Sequence, residues 1–236
     1  MDEVKNKEII DAMFKAGAHF GFSKSRRHAS TAPYIFGVKN KVEIINLEKT
    51  AELLEKAAAF VATLAAEGRQ ILFVGGKSEA HASVKNGALS IDMPYAAGRW
   101  IGGTITNFTE IKKRITKYET LLSQREKGEL SKYTKKERLL IDRQIDKLEK
   151  LFSGLVVLKD APKALFVVDP RKEEIAVAEA MSAGIPVIAL AGTDCNISKI
   201  KYPIVANDSS VSSINYFISE ITKAYKKGKS AVKKAN

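Results

Sequence analysis

The sequence is poor in the residues that build disulfide, metal or membrane-spanning structures. Among its 236 residues Cys195 is the single cysteine, and there are three histidines. One cysteine excludes an internal disulfide framework and a cysteine-based zinc site. No histidine has a second ligand residue at a metal-binding spacing on one face, so we expect no metal and no cofactor. No apolar run is long enough to span a bilayer, and the N-terminal segment lacks the apolar core of a signal peptide, which predicts a cytoplasmic protein without a membrane partner.

Acidic residues are also scarce relative to basic ones. The chain has 27 Asp and Glu against 39 Lys and Arg, giving a formal net charge of +12 and a pI near 9.6. A basic excess of this size favours a polyanionic partner, either nucleic acid or an anionic membrane surface. No pair of carboxylates and no nucleophile–base set stands out, so the residues give little support to an enzyme or a small-molecule substrate.

Short apolar runs alternate with helical segments over most of the chain. Such alternation is typical of βαβ units, whose crossover connections require a parallel sheet. An earlier segment, residues 34–46, is predicted to form two short strands about a turn at Lys39-Asn40. Residues 19–32 have no periodicity and are predicted to be a basic loop. The five strands predicted for the parallel sheet are residues 70–76, 93–98, 163–169, 185–192 and 202–207.

The pattern changes between Thr104 and Leu151, where strand signals vanish and charge density rises. Apolar residues spaced three and four apart predict two helices that form a hairpin, each covering the other. We therefore expect the α/β body to fold without it. The predicted divisions are an RNA-docking α/β domain of residues 1–103 and 152–228, an inserted helical hairpin of residues 104–151, and a basic disordered tail of residues 229–236.

Two glycine-containing segments are candidates for binding an anion. The segment FVGGKSEA (73–80) precedes a helix but lacks both common phosphate-loop spacings, which favours a plain strand-to-helix turn over a Rossmann-like nucleotide or sugar-phosphate site. Asp169 follows a buried strand, and we prefer a helix-capping role for it. The segment GRWIGGTITNF (98–108) is compatible with an anion cradle and with a tight turn, and the residues alone leave both open.

Basic residues cluster in three places. A positively charged protein with such clusters is suited to binding backbone phosphates. The sequence has no RRM, KH or zinc-finger signature, so recognition of folded RNA by shape is expected rather than base readout. The candidate RNA-binding residues are Lys24, Arg26, Arg27, His28, Arg99, Thr104, Asn107, Lys112, Lys113, Arg114, Lys117, Lys226 and Lys227, with Lys229, Lys233 and Lys234 further along the tail.

Several blocks of the sequence resemble the bacterial small-subunit ribosomal protein S2 family, in order and over nearly the whole chain. The resemblance implies a doubly wound, flavodoxin-like parallel sheet with an inserted coiled-coil hairpin. It also implies a structural, non-enzymatic protein that docks on 16S-type rRNA beside other small-subunit proteins and helps recruit ribosomal protein S1. The matching blocks are AGAHFGF (16–22), PYIFGVKNKVEIINLEKT (33–50), ILFVGGK (71–77), GRWIGGTITNF (98–108), LEKLFSGL (148–155), PKALFVVDPRKEEIAVAEAMSAGIPVIAL (162–190) and YPIVAND (202–208).

The resemblance gives the GRWIGGTITNF segment a role. It implies a junction between body and hairpin, in which Gly102 and Gly103 turn the chain, Trp100 packs into the corner, and Arg99 with the threonines meets rRNA phosphate. The chain departs from the family pattern at Phe22, where a second histidine is usual. It departs again at AGTDCNIS (191–198), where the family often has an acidic run, so metal binding by that run is not expected here.

Overall fold

The computed structural model describes residues 2–235. Its helices are α1 Asp2–Lys15, α2 Leu47–Ala66, α3 Ser78–Leu89, α4 Phe108–Glu126, α5 Lys135–Phe152, α6 Glu174–Ser182 and α7 Val211–Ala235. Its strands are β1 Phe20–Ser23, β2 Ile35–Lys39, β3 Val42–Ile45, β4 Ile71–Gly75, β5 Tyr95–Ala97, β6 Ala164–Val168, β7 Val187–Ala191 and β8 Tyr202–Val205. In this part of the chain no helix is both long and apolar enough to cross a membrane.

The larger sheet has five parallel strands in the order β5-β4-β6-β7-β8. Numbered along the chain within this sheet, that order is 2-1-3-4-5, which is the flavodoxin-like arrangement. Every residue of β4, β6 and β7 is buried, as continuous apolar runs predict for strands covered on both faces. The five strands expected from the sequence and their parallel pairing are therefore confirmed.

Helices cover both faces of this sheet because alternate strand side chains point to opposite sides. On one side Phe73 and Phe166 pack, with ring centroids 5.3 Å apart, in a core that α2, α3 and α7 complete. On the other side Leu72 and Leu165 belong to a second core that includes Trp100 and residues of α6.

The root of the two long inserted helices belongs to the second core. Ile111 and Ile115 of α4 and Phe152 of α5 are buried in the same cluster as Leu72 and Val74 of β4. The expectation that the two helices bury their apolar stripes only against each other is therefore wrong at the root. Farther out, α4 and α5 pack against one another. Helix α5 begins with a capping box between Thr134 and Glu137.

The smaller sheet is antiparallel, with strand order β1-β3-β2. Its β2–β3 hairpin confirms the two predicted strands. Asn40 and Lys41 have φ angles of 51° and 65°, the two positive values that a tight hairpin turn requires. The prediction of a loop over residues 19–32 is wrong at its start, because Phe20–Ser23 pair with β3. These four residues are too few to show strand periodicity.

Helix α7 continues to Ala235, so its end differs from the boundary predicted at residue 229. The helix crosses α2 closely at Gly228, where a Cβ would collide with the carbonyl of Ala62. Glycine thus permits this packing rather than ending the helix, and the chain continues beyond it in helical form.

Candidate nucleic-acid interface

The glycine-containing segment 98–108 is an anion cradle, and its anion is a side chain of the protein itself. The carboxylate of Glu179 on α6 accepts hydrogen bonds from the Trp100 indole Nε1 at 3.1 Å and the Gly103 amide at 2.8 Å. Its other oxygen accepts from the Ile105 amide at 3.0 Å, and from the amide and the hydroxyl of Thr106, each at 3.3 Å. The cradle is thus filled, and it is not available to an external phosphate.

The charge on Glu179 is stabilised by these donors. Burial by itself would raise the pKa of this carboxyl, but the amides of Ile105 and Gly103 and the Trp100 indole outweigh it, and the pKa is lowered. A lowered pKa is expected when several donors converge on the charged form of a carboxyl. The carboxylate therefore fastens the start of the inserted helices to α6.

Of the glycine pair Gly102-Gly103, only Gly103 needs to be glycine for backbone reasons. Gly103 has a φ of 90°, and a Cβ there would lie 3.3 Å from the Cβ of Asn107. Gly102 has no positive φ. The nearest atom to a Cβ at Gly102 is the Glu179 Oε1, 3.9 Å away. The tight-turn interpretation is therefore correct at Gly103, and it is compatible with the cradle.

The carboxyl end of the parallel sheet, where flavodoxin-like folds bind ligands, is also filled from within. The Lys77 ammonium lies 2.7 Å from Oδ2 of Asp169 and 2.9 Å from Oδ2 of Asp208. Burial disfavours the charged amine, but the two carboxylates outweigh it and raise the pKa of Lys77. The Gly76 amide donates to Glu173 at 3.0 Å. The turn of residues 73–80 therefore serves as a strand-to-helix connection, and the nucleotide-binding alternative gains no support.

The carboxyl end of the parallel sheet also contains a group of possible metal ligands. Donor atoms of Asp169, Cys195 and Asp208 lie within 4.8 Å of one another, and all three residues are buried. The Lys77 ammonium already supplies positive charge to both carboxylates. Burial and the neighbouring carboxylates raise the pKa of the Cys195 thiol, which keeps it protonated and a poor ligand. Asp169 Oδ1 also accepts from the Arg171 amide at 3.1 Å and so caps the turn before α6. The predicted helix-capping role is wrong, because Glu173 is the N-cap residue of α6.

The basic loop of residues 24–28 is partly committed to internal contacts. Arg27 Nη1 donates at 3.1 Å to Glu43, whose side chain is completely buried, and this arginine is therefore structural. The guanidinium carbon of Arg26 lies 4.5 Å from the centre of the Phe22 ring, and its Nη2 lies 3.7 Å from Oδ2 of Asp194, yet the side chain remains exposed. The His28 ring shares a 2.8 Å hydrogen bond with the Ser30 hydroxyl. Lys24 is exposed.

The basic candidate residues at and before the start of α4 are accessible to solvent. Arg99, Lys112, Lys113, Arg114 and Lys117 are all exposed. Lys113 pairs with Glu110 at 2.6 Å, and the Lys112 ammonium lies 3.4 Å from the Lys159 carbonyl. Helical spacing places Lys112, Lys113, Arg114 and Lys117 on the solvent side of α4, because Ile111 and Ile115 are buried on its other side. They form one basic patch, here called the root patch.

Two further predicted contacts near the root patch have different outcomes. Thr104 is 1% exposed and its hydroxyl donates at 2.6 Å to the Ile101 carbonyl, so the prediction that this side chain meets phosphate is wrong. Asn107 is exposed at the N-terminus of α4 and makes no side-chain cap hydrogen bond.

Arg99 lines a narrow crevice together with Lys150 near the end of α5. Lys150 lies outside the sequence-predicted set because it is 51 positions away along the chain.

The third predicted cluster lies on α7. Lys226, Lys227 and Lys229 are exposed, whereas Tyr225 and Gly228 are buried against the body. The side chains of Lys233 and Lys234 lie outside the described ones. The lysines of α7 thus face solvent on a helix that packs along α2. Together with the loop and the root patch they give the molecule three exposed basic surfaces.

Comparison with known proteins identifies a matching family. The family model described as Ribosomal protein S2 matches residues 13–228. A protein of Sulfurimonas denitrificans named small ribosomal subunit protein uS2 is 42% identical over 217 residues, covering 92% of this chain and 84% of that protein. A protein of Coprothermobacter proteolyticus with the same name is 41% identical over 220 residues, covering 93% of this chain and 82% of the relative. One of Roseiflexus castenholzii, again with that name, is 40% identical, with 92% and 83% covered.

Proposed function

The chain belongs to the ribosomal protein S2 family, and on that premise we propose that it docks on 16S-type small-subunit rRNA through its exposed basic surfaces. As a member of this family it is a structural protein of the small subunit of the cytoplasmic ribosome, and not an enzyme. The observation that carries the proposal is the root patch. Basic side chains there are exposed on the solvent side of a helix whose other side is fixed in the core.

The contacts within the molecule decide which basic residues serve RNA. Arg27 is held by the buried Glu43, so we assign it a structural role. Arg114 and Lys117 are exposed, and among the described residues neither has a carboxylate within ion-pair distance. An exposed cation without an internal partner can release counterions from the phosphate backbone, which is the main source of non-specific RNA affinity. The root patch, Lys24 and the α7 lysines are therefore the proposed phosphate contacts.

We propose that α4 and α5 form a coiled-coil hairpin that carries the root patch toward the RNA. The 19 residues of α4 span about 28 Å at 1.5 Å per residue, which is long enough to project beyond the three-layered body. Both helices have few apolar residues, and these residues lie on one side of each helix. Tyr118 of α4 and Ile145 of α5 are buried there. The hairpin is fixed at its base by Ile111, Ile115 and Phe152, so its direction is set by the core.

Neighbouring small-subunit proteins are the other proposed partners. The family resemblance implies that ribosomal protein S1 is among them, and we propose that this chain supports S1 recruitment. Small subunits reconstituted with and without the chain should differ in the S1 they retain after sedimentation. Equal retention would contradict this part of the proposal while leaving rRNA docking intact.

The salt dependence of binding to a 16S-type rRNA transcript tests the docking proposal. The logarithm of the binding constant should fall linearly with the logarithm of salt concentration, and each lost contact should reduce the slope by about 0.7–0.9. A variant carrying Lys112→Gln, Arg114→Gln and Lys117→Gln should bind more weakly with a slope reduced by about 2. Lys85→Gln, an exposed lysine of α3 outside the three surfaces, is the matched control. A slope unchanged by the triple substitution would contradict the proposal.

A further inference from the structure

Two arginines from distant parts of the chain meet at one carboxylate oxygen. The Nη1 of Arg171 lies 2.6 Å from Oδ2 of Asp194, and the Nη2 of Arg26 lies 3.7 Å from the same oxygen. The side chain of Asp194 is 7% exposed, whereas those of Arg26 and Arg171 are 57% and 58% exposed. A nearly buried acid therefore holds two guanidinium groups that both reach solvent. We call Arg26 and Arg171 the arginine pair.

The fold brings these three side chains together from separate elements. Arg171 follows β6 and Asp194 follows β7, and these neighbouring strands are parallel, so their carboxyl ends lie at the same edge of the sheet. The loop that carries Arg26 is tied to this edge, because the Phe22 amide donates to the Thr193 hydroxyl at 2.9 Å. The positions of the arginine pair are therefore set by the sheet and by this loop contact.

Both guanidinium groups are held in place by the protein itself. Besides its contact with Asp194, the Arg26 group lies over the Phe22 ring, 4.5 Å from the ring centre. Arginine presents five N–H donors in a rigid fork, and the contacts with Asp194 leave several of these donors unused in each group. Donors that are already ordered lose less conformational entropy when they bind an anion, which favours binding.

The charges around the arginine pair favour an anion. Within three positions of either arginine in the sequence, the exposed charged residues are Lys24, Lys172 and Glu174. Asp194 offsets one of the two arginine charges. The two carboxylates behind it, at the carboxyl end of the sheet, are already bound to the Lys77 ammonium. The local balance of charge that is open to solvent is therefore positive.

We propose that Arg26 and Arg171 together bind one phosphate group of the RNA backbone, with Asp194 positioning both guanidinium groups. This inference rests on the proposed RNA-docking function and adds Arg171, which no local sequence signal identified. The two nonbridging oxygens of a phosphate diverge and can accept from two separate guanidinium groups, whereas a single guanidinium already matches both oxygens of a carboxylate. Phosphate is therefore favoured over an acidic protein segment, and we make that segment an outcome of the test.

The test measures the affinity of the full chain for a 16S-type rRNA transcript as salt is varied. Arg26→Gln and Arg171→Gln should each weaken binding about 5-fold at about 100 mM salt and leave the salt slope nearly unchanged, because one arginine remains on the phosphate. The double variant should reduce the slope by about 0.7–0.9, which is the value for one phosphate. Its loss of affinity should be about 10-fold rather than the product of the two single losses, since neighbouring groups on one ligand are not additive.

Two further variants make the comparison specific. Arg69→Gln is the matched control, because Arg69 is also an exposed arginine and lies 3.5 Å from a carboxylate oxygen of Glu67. It should bind rRNA like the unmodified chain. Replacing both members of the arginine pair with lysine keeps the charge but removes the forks, and should weaken binding while retaining the salt slope. Melting temperatures of all variants check that each one is folded.

Three results would overturn the inference. The first is a double glutamine variant whose slope falls by two contacts and whose single losses multiply, which would mean two separate phosphates. The second is full affinity in the double lysine variant, which would mean that only net charge matters. The third is unchanged rRNA affinity in the double glutamine variant together with lost binding of an oligoglutamate peptide, which would indicate an acidic protein segment. If the root-patch variant lowers the slope in that case, rRNA docking stands and only this inference fails.

Discussion

The Trp100 indole and the Glu179 carboxylate, 79 positions apart in the chain, are joined by a hydrogen bond of 3.1 Å. This contact ties the segment before α4 to α6, and the amides of Gly103 and Ile105 converge on the same carboxylate. Helix α4 therefore begins at a corner that is fixed on two sides, by Glu179 and by the buried residues Ile111 and Ile115.

Removing the Glu179 side chain should destabilise the protein substantially. Glu179→Ala leaves buried donors at Trp100, Gly103 and Ile105 without their charged acceptor, and we expect a loss of at least about 3 kcal/mol in the free energy of unfolding. Glu179→Gln should lose less, because one acceptor oxygen remains. Urea denaturation measures both, with the exposed Glu174→Gln on the same helix as a control. If Glu179→Ala lowers the free energy of unfolding no more than the control does, the hydrogen bonds to Glu179 do not contribute to stability.

The contribution of Glu179 should also depend on pH in a defined direction. Its pKa is lowered in the folded protein below the ordinary value of 4.5, so its carboxylate stabilises the fold at pH values above 4.5. That stabilisation is lost as the pH falls through the folded pKa, where the carboxyl becomes protonated. The difference in unfolding free energy between the unmodified chain and Glu179→Gln should therefore be constant near neutrality and shrink in acid. A difference that grows in acid would mean that the neutral form is the one stabilised.

The two neighbouring glycines should respond differently to a methyl group. Gly103→Ala should cost about 1–2 kcal/mol because the residue has a φ of 90°, and a valine there should cost more. Gly102→Ala, at an exposed position without positive φ, is the matched control and should cost little. Thermal unfolding of both variants checks this, and equal losses would contradict the assignment of strain to Gly103.

Trp100→Ala should harm stability more than either glycine substitution. The indole is buried in the second core, and emptying a large aromatic site costs roughly 3–5 kcal/mol. Gly103→Val should change the direction of the hairpin. It should therefore reduce the affinity for rRNA more than it reduces the melting temperature. Melting temperatures and rRNA affinities measured side by side separate the two effects. A stable Trp100→Ala variant that fails to bind RNA would instead indicate a direct RNA contact.

Two deletions of different length should separate the hairpin from its root. Replacing residues 121–142 with a short Gly/Ser linker retains Ile111, Ile115 and Phe152 in the core and should leave cooperative unfolding intact. Replacing residues 109–147 removes Ile111 and Ile115, exposes the sheet face beneath them, and should give a product that binds a hydrophobic dye and unfolds less cooperatively. Cooperative unfolding of the longer deletion would contradict the placement of the root within the core.

The parallel sheet could be predicted from the sequence because its strands carry a strong local signal. Residues such as Phe166 and Ile188 lie in continuous apolar runs, which only a strand covered on both faces explains at that length. Strand β1 could not be predicted, because Phe20–Ser23 is stabilised by pairing with β3 rather than by its own pattern. Local signals therefore predicted the parallel sheet and the β2–β3 hairpin, whereas long-range pairing decided β1.

The candidate interface was predictable only in part for the same reason. The exposed lysines of α4 follow from helical spacing, since Ile111 and Ile115 mark the buried side. The hydrogen-bond partners of Glu179 and the ion-pair partner of Arg27 lie on chain segments that only folding brings together, so no local sequence pattern predicts them. Thr104 shows the limit most clearly, because a threonine beside a glycine pair is compatible with a phosphate contact until its burial is known.

Sucrose-gradient sedimentation of a cell lysate, probed for this chain at increasing salt, tests the central claim most directly. The account predicts that the chain sediments with small ribosomal subunits and is released as salt rises. The variant with Lys112→Gln, Arg114→Gln and Lys117→Gln should be released at lower salt than Lys85→Gln. A chain that remains at the top of the gradient at low salt, or that stays on the subunits equally at every salt concentration in both variants, would contradict docking through exposed basic surfaces.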